Sequence, residues 1–581
     1  MKNRELAKLF DHTADVMAIL GENTFRVLAY RKIGRVLEEL PQDIEAVAKS
    51  GELENLAGIG KSSADKINEY LRTGKISEFE SIWAQVPTGV MEMTKIPSLG
   101  PKTAAMLWQE AGITSPEQLK AKIEAGQLKD LPGLGEKKLQ KILQGIVFMA
   151  GNKGRMRLGE ALPLARQLEE FLRALPGVQR VAYCGSLRRA KETIGDIDLV
   201  VAADEGKGGA IGHAVTAHPL CAEVLGAGPT KTSFRLANGT QVDVRVIPPE
   251  SWGAAIQYFT GSKEHNLRVR EIAAKMGLKL NEWGLYKGEK AIAGQTEESI
   301  YEALGLACLP PEMREDRGEI DLAQKMFKEK SPAWTTLELS DIRGDLHMHT
   351  VASDGNRTIE EMVAEAKRRG YQYIAITDHS KSQFQANGLK VDRLLAHIDA
   401  IHAVARQVKG ILVLAGSEVD ILADGSMDYE DDVLAKLDWV VASPHAALTQ
   451  DSDAATQRLI RAAANPYVHV IGHPTGRLVP GRRGLEPDMQ KAIFAAARSG
   501  VAVELNANYH RLDLRDIHLK MAVDADVPIC INTDSHDLDQ MDLMLYGILT
   551  ARRGWVRKQN VLNARPVEAF KKWLKERRDA K

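Results

Sequence analysis

From Asp341 onward the chain repeats one pattern seven times: a short apolar run, a polar tip, then a helical stretch. Ile374-Ala375-Ile376-Thr377-Asp378-His379 and Ile529-Cys530-Ile531-Asn532-Thr533-Asp534-Ser535-His536 are two of the seven. Apolar strands alternating with helices specify a parallel sheet covered on both faces. Seven in succession predict a distorted (β/α)7 barrel, related to the eight-stranded kind, with its reactive side chains at the carboxyl ends of the strands.

The histidines follow that pattern. Eleven of the fifteen lie after residue 340, and six of these stand at strand tips. A single histidine is ordinarily a hydrogen-bonded core residue, the reading given to His397, His402, His469, His510 and His518. His347, His349, Asp354, His379, Glu418, His445, His473, Asp534 and His536 instead recur at the tips. Mixed imidazole and carboxylate donors suit zinc, manganese or iron better than magnesium. Nine ligands exceed one tetrahedral site and fit two or three ions sharing a bridging carboxylate, for which Glu418 is the candidate. Such a centre implies phosphoester hydrolysis, with Arg477 a candidate for holding the substrate phosphate.

A second centre is written into residues 184–200. Gly185-Ser186 forms a phosphate-sized turn, and Asp196 and Asp198 open an apolar strand. Side chains two apart on a strand share a face, so these carboxylates point together, which is unfavourable without a divalent cation between them. Magnesium prefers oxygen ligands and completes its shell with substrate phosphates. Gln241-Val242-Asp243-Val244-Arg245-Val246-Ile247 alternates like a half-buried strand and supplies the third acid of a two-metal phosphoryl-transfer site.

Residues 184–200 and 241–248, with Tyr258-Phe259-Thr260-Gly261-Ser262, resemble the palm and thumb of the family X DNA polymerases, the family of DNA polymerase beta. The resemblance implies a nucleotidyltransferase palm in which Asp196, Asp198 and Asp243 hold two magnesium (or manganese) ions. It implies that Gly185, Ser186, Arg189 and Gly195, with Arg157 on a weaker match, hold the triphosphate. Tyr258, Phe259 and Gly261 would border the deoxyribose, Asn266 the incoming base, and Arg245 and Arg270 the DNA. The His-x-His, Thr-Asp-His, Ser-Pro-His, Gly-His-Pro and Asp-Ser-His elements of the last third resemble the polymerase and histidinol phosphatase (PHP) domain family.

Residues 1 to about 150 are expected to be almost wholly helical. A weak repeat occurs three times, as Leu56-Ala57-Gly58-Ile59-Gly60-Lys61, Ile96-Pro97-Ser98-Leu99-Gly100-Pro101-Lys102 and Leu131-Pro132-Gly133-Leu134-Gly135-Glu136-Lys137. Each predicts a tight turn between two helices, plugged by Ile59, Leu99 or Leu134. The glycines admit a phosphate to the backbone and to the free N–H groups of the next helix. Such helix-hairpin-helix units grip DNA without reading its sequence, and Gly58, Gly60, Gly100 and Lys102 are the candidate contacts. Residues 56–75 resemble the amino-terminal eight-kilodalton domain of polymerase beta. This implies a 5′-phosphate site of Arg26, Lys61 and Lys66, with Lys66 a candidate Schiff-base nucleophile for an abasic sugar.

The net charge of −1 means that DNA affinity must come from local patches and backbone amides. Four cysteines without Cys-x-x-Cys spacing read as reduced thiols, and no apolar run approaches a membrane span. The expected domains are 1–80 and 81–150 (helical, DNA-binding), 151–256 (palm), 257–320 (thumb), 321–340 (linker) and 341–581 (PHP). Together the resemblances imply a cytoplasmic, nucleoid-associated bacterial repair enzyme, a monomer acting on gapped or primer-template DNA and dNTPs. It would fill short gaps of the base-excision type, with a linked 3′–5′ exonuclease, 3′-phosphatase or abasic-site endonuclease. Three alternatives remain open: a template-independent nucleotidyltransferase, a DNA-binding scaffold with vestigial sites, and a hydrolase domain serving as a small-molecule phosphatase.

Overall fold

The computed structural model describes residues 2–40, 43–56, 58–94, 96, 99–129, 131, 133–152 and 154–579. The chain divides into two compact units, Met1–Lys153 and Gly154–Lys581.

The described residues of the first unit form helices joined by short turns, with no strand among them. Its two cores are centred on Leu6, Phe10, Ile67 and Phe79, and on Val90, Leu107 and Ile142. Ile59, Leu99 and Leu134 are buried, as expected of plugs between paired helices. Gly58 and Gly133 turn the chain at φ of +98° and +74°, a conformation other residues rarely adopt. Gly60 and Gly100 cap the helices Lys61–Thr73 and Pro101–Ala111. Ala57, Pro97, Ser98 and Pro132 of the three motifs lie outside the described residues.

The second unit opens with a five-stranded sheet: β1 (Val178–Tyr183), β2 (Asp196–Ala203), β3 (Glu223–Ala227), β4 (Lys231–Arg235) and β5 (Gln241–Ile247), ordered β1-β2-β5-β4-β3. β2 and β5 run parallel; the other pairs are antiparallel. Helix Leu158–Arg173 buries Leu162, Ala165, Leu168 and Leu172 in one core, while helix Trp252–Thr260 adds Ala255 and Ile256 to another with Val200 and Ile247. Gly208 and Gly209 open a helix that runs to Thr216. The segment expected to be a linker from 321 instead begins inside a helix: helix Glu319–Lys328 packs Ile320, Ala323 and Met326 into the core that also holds Leu304 and Met313. Its apolar residues recur every three positions among charges, which is enough for one buried face.

The barrel follows with β6 (Gly344–Asp345), β7 (Tyr373–Ile376), β8 (Leu412–Asp420), β9 (Trp439–Ser443), β10 (Val470–Ile471), β11 (Ala502–Asn506) and β12 (Ile529–Asn532). All pair parallel in chain order. A bridge between Met348 and Ser535, with His349 N donating to Ser535 O at 2.8 Å, brings the two edges together, so the barrel is nearly closed. Helix Val567–Asp579 packs Phe570 against the first residues of the strands, stacked on Tyr373 at 4.3 Å. The opposite end, where the histidines lie, stays free for chemistry. All four cysteines are free thiols. No described helix is long and apolar enough to cross a membrane.

Candidate active sites

The parallel register of β2 and β5 sets Asp198 directly beside Asp243, with Asp196 beside Gln241. Burial pushes the Asp198 carboxyl up to about 6, and the charges of Asp196 and Asp243 add to the rise. Burial would also raise Asp243. Hydrogen bonds from Ser233 Oγ (2.7 Å) and Gln241 Nε2 (3.0 Å), with Lys231 Nζ at 2.9 Å, outweigh it and hold Asp243 below the usual carboxylate range. Three clustered acids in which one resists ionisation form a donor set that fits a divalent cation.

Above them lies a cavity of 520 Å³. Gly185, Ser186, Arg189, Tyr258, Phe259, Gly261, Asn266 and Arg270 all line it with Asp196 and Asp198. Gly185 has a φ of +61°, and a Cβ there would strike the Asp198 carboxylate. Ser186 Oγ is buried without a hydrogen-bond partner, as a group awaiting a ligand would be. Arg189 is engaged by the protein itself: Nε meets Glu315 Oε1 at 2.9 Å and Nη1 donates to Thr260 O at 2.5 Å. Asn266 accepts from Gln257 Nε2 (2.8 Å) and donates to Tyr258 O (2.7 Å). The Arg245 guanidinium lies 4.4 Å over the Phe259 ring.

Arg157 does not line this cavity. Its Nη1 lies 2.6 Å from His510 Nδ1 of the barrel, and Arg155, two residues earlier, takes the lining position. A Cβ at Gly195 would come within 2.7 Å of Arg155 Nη1, so that glycine makes room for the arginine. The sequence reading missed Arg155, which stands in the loop just before the strand Met156–Arg157.

In the barrel all nine nominated side chains converge. Three groups of ligand atoms lie close together: His349, Asp354, His379 and His536; His347, His349, Glu418 and Asp534; and His379, Glu418 and His445. Glu418 stands at the centre. His473 Nε2 (2.7 Å), His445 Nε2 (3.3 Å) and His347 Nε2 (3.4 Å) face its Oε1; His379 Nδ1 (2.9 Å) and His349 Nε2 (3.6 Å) face its Oε2. Burial alone would raise this carboxyl, but the imidazoles hold it well below the ordinary range. Both Glu418 oxygens, His347 Nε2, His349 Nδ1 and both His473 nitrogens are buried, and despite these short contacts none of them has the angular geometry of a hydrogen bond. So many orphaned donors and acceptors in one fully buried place fit cations with a shared carboxylate.

A further layer orients these ligands. His347 Nδ1 lies 2.7 Å from Glu504 Oε1, whose carboxylate accepts from His473 N (2.7 Å) and Asn532 Nδ2 (2.9 Å). His445 Nδ1 meets Asp420 Oδ1 at 2.7 Å. Glu504 and Asp420 were not nominated, although Glu504 stands at a strand tip and Asp420 two residues beyond Glu418 on the same strand. His397, His402 and His469 are hydrogen-bonded as expected, to Asp378, Asp438 and the Val440 N–H. His510 is exposed instead, and His518 Nδ1 has no partner. Arg477 points away from the cluster: its Nη1 pairs with palm Glu192 at 2.8 Å and its Nη2 donates to Leu512 O.

In the helical unit, Lys61 is exposed at the start of its helix. Lys66 Nζ lies 2.8 Å from Ser62 Oγ and 3.0 Å from Glu78 Oε2. Arg26 Nη2 and the Tyr30 hydroxyl both reach Glu78 Oε1 at 3.3 Å. Glu78, which no motif signals, thus gathers Arg26 and Lys66. Lys102 sits in the first turn of the helix that Gly100 caps.

Residues 1–76 match a helix-hairpin-helix domain, 90–146 a SAM-like helix-hairpin-helix tandem, 255–315 the DNA polymerase beta thumb and 345–508 the PHP domain. DNA polymerase lambda of Rattus norvegicus is 27% identical over 54% of this chain and 56% of its own. A probable phosphatase of Thermoanaerobacter sp. (strain X514) is 28% identical over 40% of this chain and 95% of its own. The DNA polymerase/3′-5′ exonuclease PolX of Bacillus subtilis (strain 168) is 38% identical over 99% of this chain and 100% of its own. A match of that extent, with thumb, hairpin and PHP segments in the same chain, means that the protein belongs to the family X DNA polymerases that carry a PHP domain.

Proposed function

We propose that the protein is a template-directed DNA polymerase that fills short gaps during base-excision-type repair and carries a linked 3′–5′ exonuclease or 3′-phosphatase, with abasic-site cleavage a further activity of the same hydrolase. The observation that carries the polymerase reading is the in-register pair Asp198 and Asp243, with Asp196, beneath a cavity lined by Ser186 and Arg270. Asp196, Asp198 and Asp243 would hold two magnesium or manganese ions. When bound, such cations lower the pKa of the primer 3′-hydroxyl and spread the charge that develops on the transferring phosphoryl group. The orphaned Ser186 hydroxyl, the Gly185 turn, and Arg155 and Arg189 hold the triphosphate; Arg189 exchanges Glu315 for phosphate oxygens. Tyr258, Phe259 and Gly261 shape the sugar site, Asn266 meets the base edge, and Arg245 and Arg270 face the DNA.

The hydrolase would use His347, His349, Asp354, His379, Glu418, His445, His473, Asp534 and His536 to hold two or three zinc, manganese or iron ions. Glu504 and Asp420 fix the ring orientation of His347 and His445. In the helical unit, Gly60 and Gly100 have ordinary negative φ and open space where a Cβ would stand, so the fold itself does not require glycine there. Approach of a DNA backbone does. Arg26, Lys61 and Lys66 would receive the 5′-phosphate of a gap, in competition with Glu78. The domain limits proposed are 1–80, 81–150, 151–256 and 257–328, a connection to 340, and 341–581; the protein works as a monomer on chromosomal DNA.

A gapped duplex with a 5′-phosphate, assayed with magnesium and with manganese, tests this reading. Asp196→Asn is expected to abolish extension and spare 3′-end degradation, and His347→Ala the reverse. Extension that survives Asp196→Asn, or that needs no template, would refute it. The similarity to probable phosphatases favours a second reading of the barrel as a small-molecule phosphatase. Preference for a sugar phosphate over a labelled DNA 3′ end in direct competition would support that reading.

A further inference from the structure

Beside the nucleotide cavity, palm, thumb and barrel together line a second one of 460 Å³. Arg155 and Lys191 of the palm, Arg317 of the thumb, and Arg515 and Arg553 of the barrel line it, against two acids, Glu192 and Asp516. Both acids already have partners: Glu192 pairs with Arg477 at 2.8 Å, and Asp516 with Arg317 and Arg553 at 2.7 Å each. Arg155 donates to Thr193 Oγ1 and O, and Lys191 lies no closer than 3.8 Å to Glu315. Among the described residues no carboxylate comes within ion-pair distance of Arg155 or of the exposed Arg515. The cavity thus holds positive charge that the protein leaves uncompensated.

The remaining lining discriminates between ligands. No aromatic side chain faces the space, so nothing there can stack a base. Several guanidiniums around a small volume suit phosphate oxygens, which they can grip in pairs. Arg155 and Lys191 line the nucleotide cavity as well, so the two spaces share a wall. We propose that this junction cavity is a polyphosphate site, built jointly by the polymerase and hydrolase parts, which receives inorganic pyrophosphate as it leaves the nucleotide cavity. The inference rests on the palm acting as a nucleotidyltransferase. Holding the product there makes the protein sensitive to pyrophosphate and favours reversal of extension.

The test uses the full-length protein on a gapped duplex with a dideoxy-terminated primer, its nucleotide cavity filled with an α,β-imido dNTP. Calorimetric titration with pyrophosphate is expected to show one further binding event. Arg515→Glu and Ile517→Glu, both at exposed lining positions, should weaken that event at least fivefold and change imido-dNTP affinity by less than twofold. No event, or equal affinity in wild type and both variants, would overturn the proposal. Failure of the imido dNTP itself to bind would instead overturn the reading of the palm. A second arm identifies the source of the ligand. In multiple-turnover extension, added pyrophosphatase should accelerate the wild type more than Arg515→Glu, and equal acceleration would exclude the reaction product as the occupant.

Discussion

Asp198 lies in register with Asp243 across two parallel strands, and burial with its acidic neighbours pushes its carboxyl up to about 6. A carboxyl whose folded value lies above its unfolded value of 3.8 binds its proton more tightly when folded, so it costs stability as pH rises between the two. At pH 7 that cost is about 3 kcal/mol in the metal-free protein. Asp198→Asn is therefore expected to raise the unfolding temperature in EDTA at pH 7, to leave it unchanged at pH 4, and to abolish extension. Equal effects at the two pH values would contradict this. The same proton competes with the cation, so manganese affinity of the palm should fall as pH drops below about 6, read by calorimetry. A second residue-scale expectation concerns Glu504. Glu504→Gln keeps its size but weakens its hold on His347 and His473 N, and metal affinity of the barrel should fall about 10- to 100-fold. Elemental analysis after dialysis would read it, with extension unaffected.

At the scale of elements, the hairpins separate fold from function cleanly. Gly60 and Gly100 have negative φ and no neighbour within reach of an added Cβ, so Gly60→Ala and Gly100→Ala should leave the melting temperature within a degree or so. DNA affinity should fall, because the methyl groups stand where a phosphate would approach, and fluorescence anisotropy would measure it. Gly58, at φ +98°, should behave differently and lose stability on substitution. Much of this level was legible in the sequence, since it rests on local periodicity. Strand alternation put Asp196 and Asp198 on one face, the repeated tips located nine converging side chains, and the hairpin spacing named Ile59, Leu99 and Leu134 as plugs. What escaped depends on contacts between distant segments. Nothing near Glu78 signals that Arg26, Tyr30 and Lys66 meet on it. Arg155 and Arg157 are likewise told apart by a distant residue, because the His510 that takes up Arg157 comes from the barrel. The helix after Glu319 was hidden by its charged exterior.

Across the whole second unit, polymerase and barrel are tied by buried ion pairs between residues far apart in the chain. Arg553 of the barrel donates to Arg189 O at 2.5 Å and to Glu315 at 2.9 Å, and Glu315 in turn holds the Arg189 guanidinium. Arg477 and Arg157 add links to Glu192 and His510. Removing one partner of a buried pair strands the other charge, at a cost of about 3–5 kcal/mol. Arg553→Ala should therefore lower the melting temperature of this unit and raise KM for dNTP several-fold, as Glu315 tightens on Arg189. Arg553→Lys should recover part of the loss, and 3′-end degradation should change little. An unchanged KM would remove Arg553 from any part in nucleotide binding.

The Arg553 tether also bears on how such a chain can be dissected. Severing it at residue 340 would discard a guanidinium that the nucleotidyltransferase half relies on, and would bare Glu192 and Glu315 at the cut face. A shortened enzyme that extends primers poorly would then report a broken seam, not a need for hydrolysis. Single substitutions among the imidazoles are the cleaner instrument.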